Sequence, residues 1–274
     1  MTKHQHYIPR MILKRWGYWR VPMSNQFEYE GKKKKKKIKV VYRNTINNFE
    51  ELKDIRDICY VDWLHEYKKD GKVVDFNVIE NHFGYLENIW NGIIDKIEKK
   101  LSLTDKEVIW LKILIIKQLM RTPEAIIVMT ETLQRLSPIT MSQEDADRYY
   151  KISAFAMGIQ VEAQWAFWSY FKYYAGHPKL AIFHTNDNFI LCDERPVLCL
   201  HWFEGIKPTM YLPVSPQYML GLIYDASFEN KNEDDVNRNY EYIDFTLNDT
   251  QWFNDMIYKC GTHIIANNFE FKGE

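Results

Sequence analysis

The sequence lacks every short motif that marks a common enzyme class. It has no phosphate-binding G-x-x-x-x-G-K-[ST] loop, no dinucleotide-binding G-x-G-x-x-G, no zinc-binding H-E-x-x-H and no G-x-S-x-G nucleophile elbow. Their absence excludes the usual nucleotide-binding, zinc-protease and hydrolase classes. Any chemistry must therefore depend on polar residues that are scattered along the chain.

Cysteines are few, and no two of them have the C-x-x-C spacing of a metal or redox site. The four are Cys59, Cys192, Cys199 and Cys260. Basic residues interrupt the apolar stretch that a signal peptide would need near the N-terminus. We therefore expect free, buried thiols in a reducing cytoplasm.

Long apolar runs and a strong charge imbalance are also absent. The most apolar stretch, residues 109–120, contains Lys112 and Lys117 and is shorter than the roughly 18 residues of a membrane span. The net charge is only -1. We therefore expect no membrane contact, and any nucleic-acid contact would have to be local.

Hydrophobic and aromatic residues are plentiful. The 274 residues are 46% hydrophobic and include 18 Tyr and 9 Trp, so a chain of this size can bury a proper core. We expect a single domain over 1–274, with a hairpin region at 1–74, a helical region at 75–176 and a sheet region at 177–274.

The pattern of apolar residues predicts three helices in the middle of the chain. Helical periodicity runs from Asp75 to about Lys100. A capping box at Thr104 begins a second helix, which Pro123 ends or kinks. A third helix is expected from about Ser142 to Tyr174.

Strand-like runs flank these helices. Short β-branched and aromatic runs fill residues 180–224, and a late helix (248–260) and a last strand follow them. The class predicted is α+β, with an N-terminal β-hairpin, central long helices and a mainly antiparallel C-terminal sheet with a late helix.

The N-terminal hairpin is predicted from two strand-like runs, residues 25–30 and 38–43, with a basic turn between them. The turn carries Lys32, Lys33, Lys34, Lys35, Lys36 and Lys37. These lysines would contact nucleic-acid phosphates. The alternative is a solvated turn that protects a strand edge.

Two histidines open the sequence. His4 and His6 would face one side of an extended chain, where two imidazoles can bind a transition metal. The alternative is that each ring bonds local backbone while Tyr7 and Ile8 pack inward. Glu80 and Glu87 project from one side of the first helix and can also hold a divalent metal. Their alternative is pairing with basic neighbours or contact with water.

Three further polar residues stand where apolar ones are expected. The buried stripe of the second helix continues to Gln118 and Arg121, and such polar groups need partners. Asp193 ends the apolar run "FILC", where a carboxylate can be held against a ligand or against Arg121. The alternatives are a cation favoured at a helix C-terminus for Arg121 and a turn-forming role for Asp193.

In this order, the motifs resemble the bacterial family catalogued as domain of unknown function 4238. "HYIPRMILKRW", "IENHFGYLE", "KQLMRTP", "FILCDERPV", "YLPVSPQYMLGL" and "LNDTQW" resemble its ordered motifs across nearly the whole chain. The resemblance picks out His6, Tyr7, Pro9, Leu13, Glu80, Glu87, Gln118, Arg121, Pro123, Asp193, Pro196, Pro213, Ser215, Pro216 and Asn248. The step from the aspartate to the proline is one residue longer here, and Asp187 offers a rival alignment. The resemblance implies candidate residues and no reaction.

Two functions remain open. His6, Gln118, Arg121 and Asp193 would converge as catalytic residues of a nuclease-like enzyme in a bacterial or phage conflict system. His6 would exchange protons, Arg121 would hold phosphate, and a divalent metal ion would assist. Alternatively, the same residues form a structural lock in a non-catalytic module that binds nucleic acid, a protein or a second copy of the chain.

Overall fold

Most strands lie in the N-terminal and C-terminal parts of the chain, and most helices lie between them. A computed structural model of the chain describes residues 4–17, 38–70, 72–75, 78–136, 140–151, 178–200, 209–224 and 240–267. The helices are α1 (Arg10–Leu13), α2 (Val78–Glu98), α3 (Asp105–Met120), α4 (Pro123–Leu136), α5 (Gln143–Lys151) and α6 (Leu247–Cys260). The first strands are β1 (His4–His6), β2 (Lys39–Asn44), β3 (Phe49–Asp54), β4 (Tyr60–Asp62), β5 (Tyr67–Lys69) and β6 (Lys72–Asp75). The later strands are β7 (Pro178–His184), β8 (Leu191–Cys192), β9 (Leu198–Leu200), β10 (Thr209–Ser215), β11 (Tyr218–Tyr224), β12 (Tyr240–Asp244) and β13 (His263–Ala266).

Helices fill the middle of the chain and strands fill both ends, so the fold is α+β, as predicted. The larger sheet has the strand order β12-β7-β11-β10-β9. Its pairs are antiparallel except for β12, which runs parallel to β7. The mainly antiparallel C-terminal sheet and the late helix α6 are therefore both present.

A second sheet joins the two ends of the sequence. Its order is β3-β2-β13-β8, and all of its pairs are antiparallel. The N-terminal hairpin is formed by β2 and β3, whereas the sequence paired 38–43 with 25–30. This pairing was wrong along residues 41–43, because β3 occupies one edge of β2 there and β13 occupies the other. Residues 25–30 and the six lysines lie outside the described residues.

The helical region begins largely as the sequence predicts. The apolar seam of α2 is buried along its length, from Phe83 at 1% exposure to Ile97 at 0%. At the start of α3, Thr104 and Glu107 form the predicted capping box. α5 begins just after Ser142, whose hydroxyl accepts the Asp145 N–H. The predicted continuation to Tyr174 falls outside the described residues.

Two helices were missed, the short α1 and the longer α4. Pro123 was taken as the end of a helix, yet it also opens α4. Proline suits the first position of a helix, because that position needs no backbone donor and the ring fixes a helical φ. The helix is therefore interrupted at Arg121 and Thr122, with Arg121 as the C-cap of α3.

The core lies between the helices and the sheets. α3 packs against β7, β10 and β11 of the larger sheet. Trp16 follows α1, Trp90 lies in the middle of α2, and both are fully buried. Trp16 Nε1 donates to the Phe189 carbonyl across 3.3 Å, which ties the N-terminal segment to the segment before β8. Burial of large aromatic side chains is a main source of stability in such a core.

No helix among the described residues has the length and hydropathy needed to cross a bilayer. The four cysteines are free thiols, and Cys59 and Cys192 are buried, whereas Cys199 and Cys260 are half-buried.

The capping box gives a test of the helical region. Thr104→Ala removes the side-chain oxygen that accepts the Glu107 N–H. We expect the free energy of unfolding to fall by about 1 kcal/mol. Urea denaturation would measure the change, with Ser102→Ala as the control because Ser102 is exposed and precedes the helix. Equal stability of the two variants would contradict the assigned cap.

Candidate functional site

The main chain of His6 and Tyr7 is held by the end of α3. Arg121 is 2% exposed, and its Nη2 donates to the His6 carbonyl. Gln118, 1% exposed, donates through Nε2 to the Tyr7 carbonyl across 2.7 Å. The two side chains reach the same segment because residues three apart lie on one face of a helix. The polar residues on the buried stripe of α3 thus supply donors to two buried carbonyl groups.

Arg121 has two further contacts that offset its burial. Its Nη1 lies 3.2 Å from Glu87 Oε1, and its guanidinium carbon lies 4.1 Å from the centre of the Phe83 ring. Burial raises the pKa of Glu87, although Arg121 opposes this shift. A buried guanidinium costs several kcal/mol unless charges and hydrogen bonds compensate for the lost water. Glu87, Phe83 and the His6 carbonyl provide that compensation.

Asp193 binds a different part of the same segment. Its carboxylate accepts hydrogen bonds from the Tyr7 and Tyr42 hydroxyls, and the Cys59 thiol is also in hydrogen-bond contact with it. Its own N–H donates to the His263 carbonyl across 3.0 Å. Burial first, and the Asp193 charge second, raise the pKa of each of the three donors. All three groups therefore keep their protons and remain donors.

The His6 ring is bonded to backbone. Its Nε2 lies 3.2 Å from the Ile55 carbonyl, and the residue is 8% exposed. Burial, followed by the Arg10 charge, lowers the pKa of His6 to about 4. The ring is therefore neutral near neutral pH, with Nε2 as the donor to Ile55.

The four residues predicted to converge do meet, around residues 6 and 7. Their contacts involve the main chain of His6 and Tyr7 and the Tyr7 hydroxyl. In the described part of the chain, Asp193 does not bond to Arg121, which was one of its expected partners. Arg121 pairs with Glu87 instead, and Asp193 with two tyrosines. We call this group the N-terminal lock. It consists of His6, Tyr7, Gln118, Arg121 and Asp193.

A second polar group lies beside the lock on α2. Glu80 Oε2 is 3.2 Å from His65 Nδ1, and the side chains of Glu80 and Glu87 are each 25% exposed. Burial raises the pKa of Glu80 and lowers that of His65 well below its usual value. Both glutamates thus have a basic partner, Arg121 or His65. Within the part of the chain that the structure describes, no three His, Cys, Asp or Glu side chains are grouped as metal ligands.

His4 and His6 share one side of β1, since both rings pack on Tyr60, with centroids 4.7 and 5.8 Å away. Their polar partners differ. His4 Nδ1 lies 2.7 Å from Asp62 Oδ1 on the facing strand β4, and His6 bonds to Ile55. Each imidazole therefore has its own bond.

The two candidate aspartates occupy different environments. Asp193 is 5% exposed inside the lock, whereas Asp187 is exposed and its N–H bonds to the Thr185 hydroxyl. Asp193 contacts Tyr7, which the resemblance also picks out.

Sequence reasoning missed several members of this network. Tyr42 and Cys59 were not candidates, although both contact Asp193. Nor was the buried Gln5, which donates to Glu66 Oε1 across 2.7 Å and accepts the His65 N–H. Alternation within β2 places Tyr42 on the buried side, but it gives no sign that the hydroxyl has a carboxylate partner.

Comparisons with known proteins give one match. The family described as "Protein of unknown function (DUF4238)" matches residues 4–269. No curated protein and no solved structure matches the chain.

The burial of His6 predicts a pH-dependent stability. Its pKa is about 4 in the folded chain against an ordinary value of 6.5, so the unfolded chain binds more protons between these two values. Stability should therefore fall as the pH falls. We expect a loss of about 2 kcal/mol from this residue between about pH 7 and pH 5.

Urea denaturation at both pH values would measure this effect in the wild type, in His6→Gln and in His4→Gln. Glutamine at position 6 keeps a donor for Ile55 and removes the titrating group, so its stability should depend less on pH. His4 is exposed on the same strand and provides the matched control. An unchanged pH dependence in His6→Gln would show that His6 is not buried in its neutral form.

Proposed function

This chain belongs to the DUF4238 family, and from that premise we propose that it is a non-catalytic binding module. In this module, the polar residues that the resemblance to the family picks out serve as the N-terminal lock. The observation that carries the proposal is the hydrogen-bond partner of each polar side chain. Arg121 and Gln118 donate to main-chain carbonyls, and Asp193 accepts from tyrosine hydroxyls. These bonds hold the fold together and leave little capacity for a substrate.

The protonation states support the same conclusion. A general acid or base works best when its pKa lies near the working pH. Burial moves the pKa of His6 to about 4, and its Nε2 is engaged with Ile55. Tyr7 and Tyr42 have pKa values raised far from neutrality, so they do not exchange protons easily. These protonation states therefore suit a structural role for the lock.

In this proposal, the partner binds to other surfaces. The lock fixes β1 and the start of α1 against α3 and the strand β8, and so sets the shape of the surrounding surface. A protein, a second copy of the chain or nucleic acid would be the partner, in the bacterial cytoplasm. The six-lysine run is one candidate for such contacts, and the aromatic sequence at 164–176 is another. Both lie outside the described residues.

A second candidate function is processing of phosphodiesters or nucleotides, as in a nuclease of a phage-defence system. One observation favours it. Within the described residues, Arg121 Nε and Gln118 Oε1 are buried without a hydrogen-bond partner. The neighbouring Glu80 and Glu87 side chains are each a quarter exposed. A divalent ion held by these glutamates would then supply Lewis-acid chemistry next to Arg121.

Removal of Arg121 tests the proposal. Arg121→Ala leaves Glu87 and the His6 carbonyl without their donor, and we expect the free energy of unfolding to fall by about 3 to 5 kcal/mol. Arg195→Ala is the control, because Arg195 forms an exposed pair with Glu124 and should cost less than about 1 kcal/mol. If Arg121→Ala does not fold, Gln118→Ala, which loses one buried bond, should cost about 1 to 3 kcal/mol. Wild-type stability in these variants would contradict a structural lock.

An activity assay separates the two candidates. We expect DNA, RNA and nucleotides to remain intact after incubation with the wild-type chain and Mg²⁺, Mn²⁺ or Zn²⁺. Cleavage that disappears in Glu80→Gln, while its urea denaturation curve stays unchanged, would overturn the binding-module proposal in favour of the enzyme.

A further inference from the structure

A cavity of about 300 Å³ lies away from the N-terminal lock, where the first segment of the chain meets the larger sheet. Its lining residues come from five parts of the chain. They are Arg15, Glu98, Asn188, Ser215, Pro216, Gln217, Tyr218 and Asn267. Its volume is at the lower end of the range for small-molecule sites, so it fits a ligand the size of one sugar ring.

Two lining residues carry buried polar atoms that lack partners among the described residues. Arg15 Nε is a donor, and Asn267 Oδ1 is an acceptor. The other ends of these side chains are fixed. Arg15 bonds to Asp95 across 2.6 Å and to Glu98 across 3.0 Å. Asn267 Nδ2 donates to Asn188 Oδ1 across 2.9 Å. Both side chains are thus fixed in position at the wall of the cavity.

The charges around the cavity restrict the chemistry of its ligand. Among the described residues that line it, Arg15 and Glu98 are the charged ones, and they pair with each other. An anion would meet the Glu98 carboxylate. A cation would meet the Arg15 guanidinium. A neutral hydroxyl group suits both members of this pair, because it accepts and donates hydrogen bonds.

The remaining lining groups are also neutral. Asn188 and Gln217 contribute amides, and Ser215 and Tyr218 carry hydroxyls. Amide groups next to a carboxylate and a guanidinium can bond several hydroxyl groups at once. We infer that this cavity is a binding site for a neutral polyhydroxylated ligand of the monosaccharide class.

The walls of the cavity are well supported. The register of β10 and β11 shifts between Pro213 and Ser215, and such irregularities often turn a side chain toward a functional site. The Pro216 carbonyl accepts the Phe189 N–H across 2.7 Å, next to the Trp16 bond to Phe189. Since Arg15 directly precedes Trp16, the same packing fixes the guanidinium at the cavity. This preorganisation lowers the entropic cost of binding.

The inference goes beyond the proposed function, because it concerns a small-molecule site whose residues are separate from the lock. A titration followed by saturation-transfer NMR tests it with glucose, galactose, mannose, ribose and N-acetylglucosamine as neutral probes. Glucosamine and glucose 6-phosphate serve as the cationic and anionic counterparts. We expect saturable binding of at least one neutral sugar, and weaker binding of the two charged counterparts.

The variants identify the site. Asn267→Leu removes a lining amide, and we expect affinity to fall about tenfold or more. Gln217→Ala changes an exposed lining residue, so it tests the same cavity with little risk to folding. Gln251→Leu on α6 is the matched control, because Gln251 is exposed and does not line the cavity. Thermal unfolding of each variant would confirm that it is folded.

Three results would each overturn the inference. The first is that no neutral sugar binds saturably, so that only water occupies the cavity. The second is that glucose 6-phosphate or glucosamine binds more tightly than every neutral probe, and the third is that Asn267→Leu and Gln217→Ala both bind like the wild type. Each of these leaves the stability of Arg121→Ala and the nuclease assay unaffected, so the inference and the proposed function fail independently.

Discussion

The rest of the structure depends on the need to bond the buried carbonyl groups of His6 and Tyr7. Main-chain polar groups that leave water must find partners, and a segment this short cannot provide them all from its own strand. Arg121 and Gln118 reach both carbonyls from one turn of α3. The end of α3 must therefore lie where the N-terminal segment passes, and the kink at Pro123 follows directly after it.

The charged groups that make this arrangement possible come from different regions of the chain. Glu87 on α2 balances Arg121, so the first two long helices are coupled where the lock needs them. Asp193 needs no cation among its described contacts, because Tyr7 and Tyr42 each donate a hydroxyl group and Cys59 a thiol. Hydrogen bonds to a carboxylate stabilise its charge, and low polarity around the bonds strengthens them. The lock thus joins the N-terminal strand, the helices and the second sheet by polar contacts.

Local patterns in the sequence predicted the features that depend on neighbouring residues. The capping box at Thr104, the buried seam of α2 and the burial of Gln118 and Arg121 are examples. The pairing of β2 with β13 could not be predicted, because strand partners more than 200 residues apart leave no local signal. The same holds for the Asp193 partners, since a tyrosine on an apolar strand face looks like any other core residue. Pro123 was ambiguous because proline both ends and begins helices.

The position of β13 has a consequence for how the chain acquires its structure. This strand lies between β2 and β8, so residues 263–266 complete a sheet whose other members come from residues 39–54 and 191–192. During synthesis the two flanking parts can form only separately until the ribosome has released this segment. Such long sequence separation raises contact order and slows folding. In the meantime, the free edges of β2 and β8 would be open to pairing with other chains, which favours aggregation during folding.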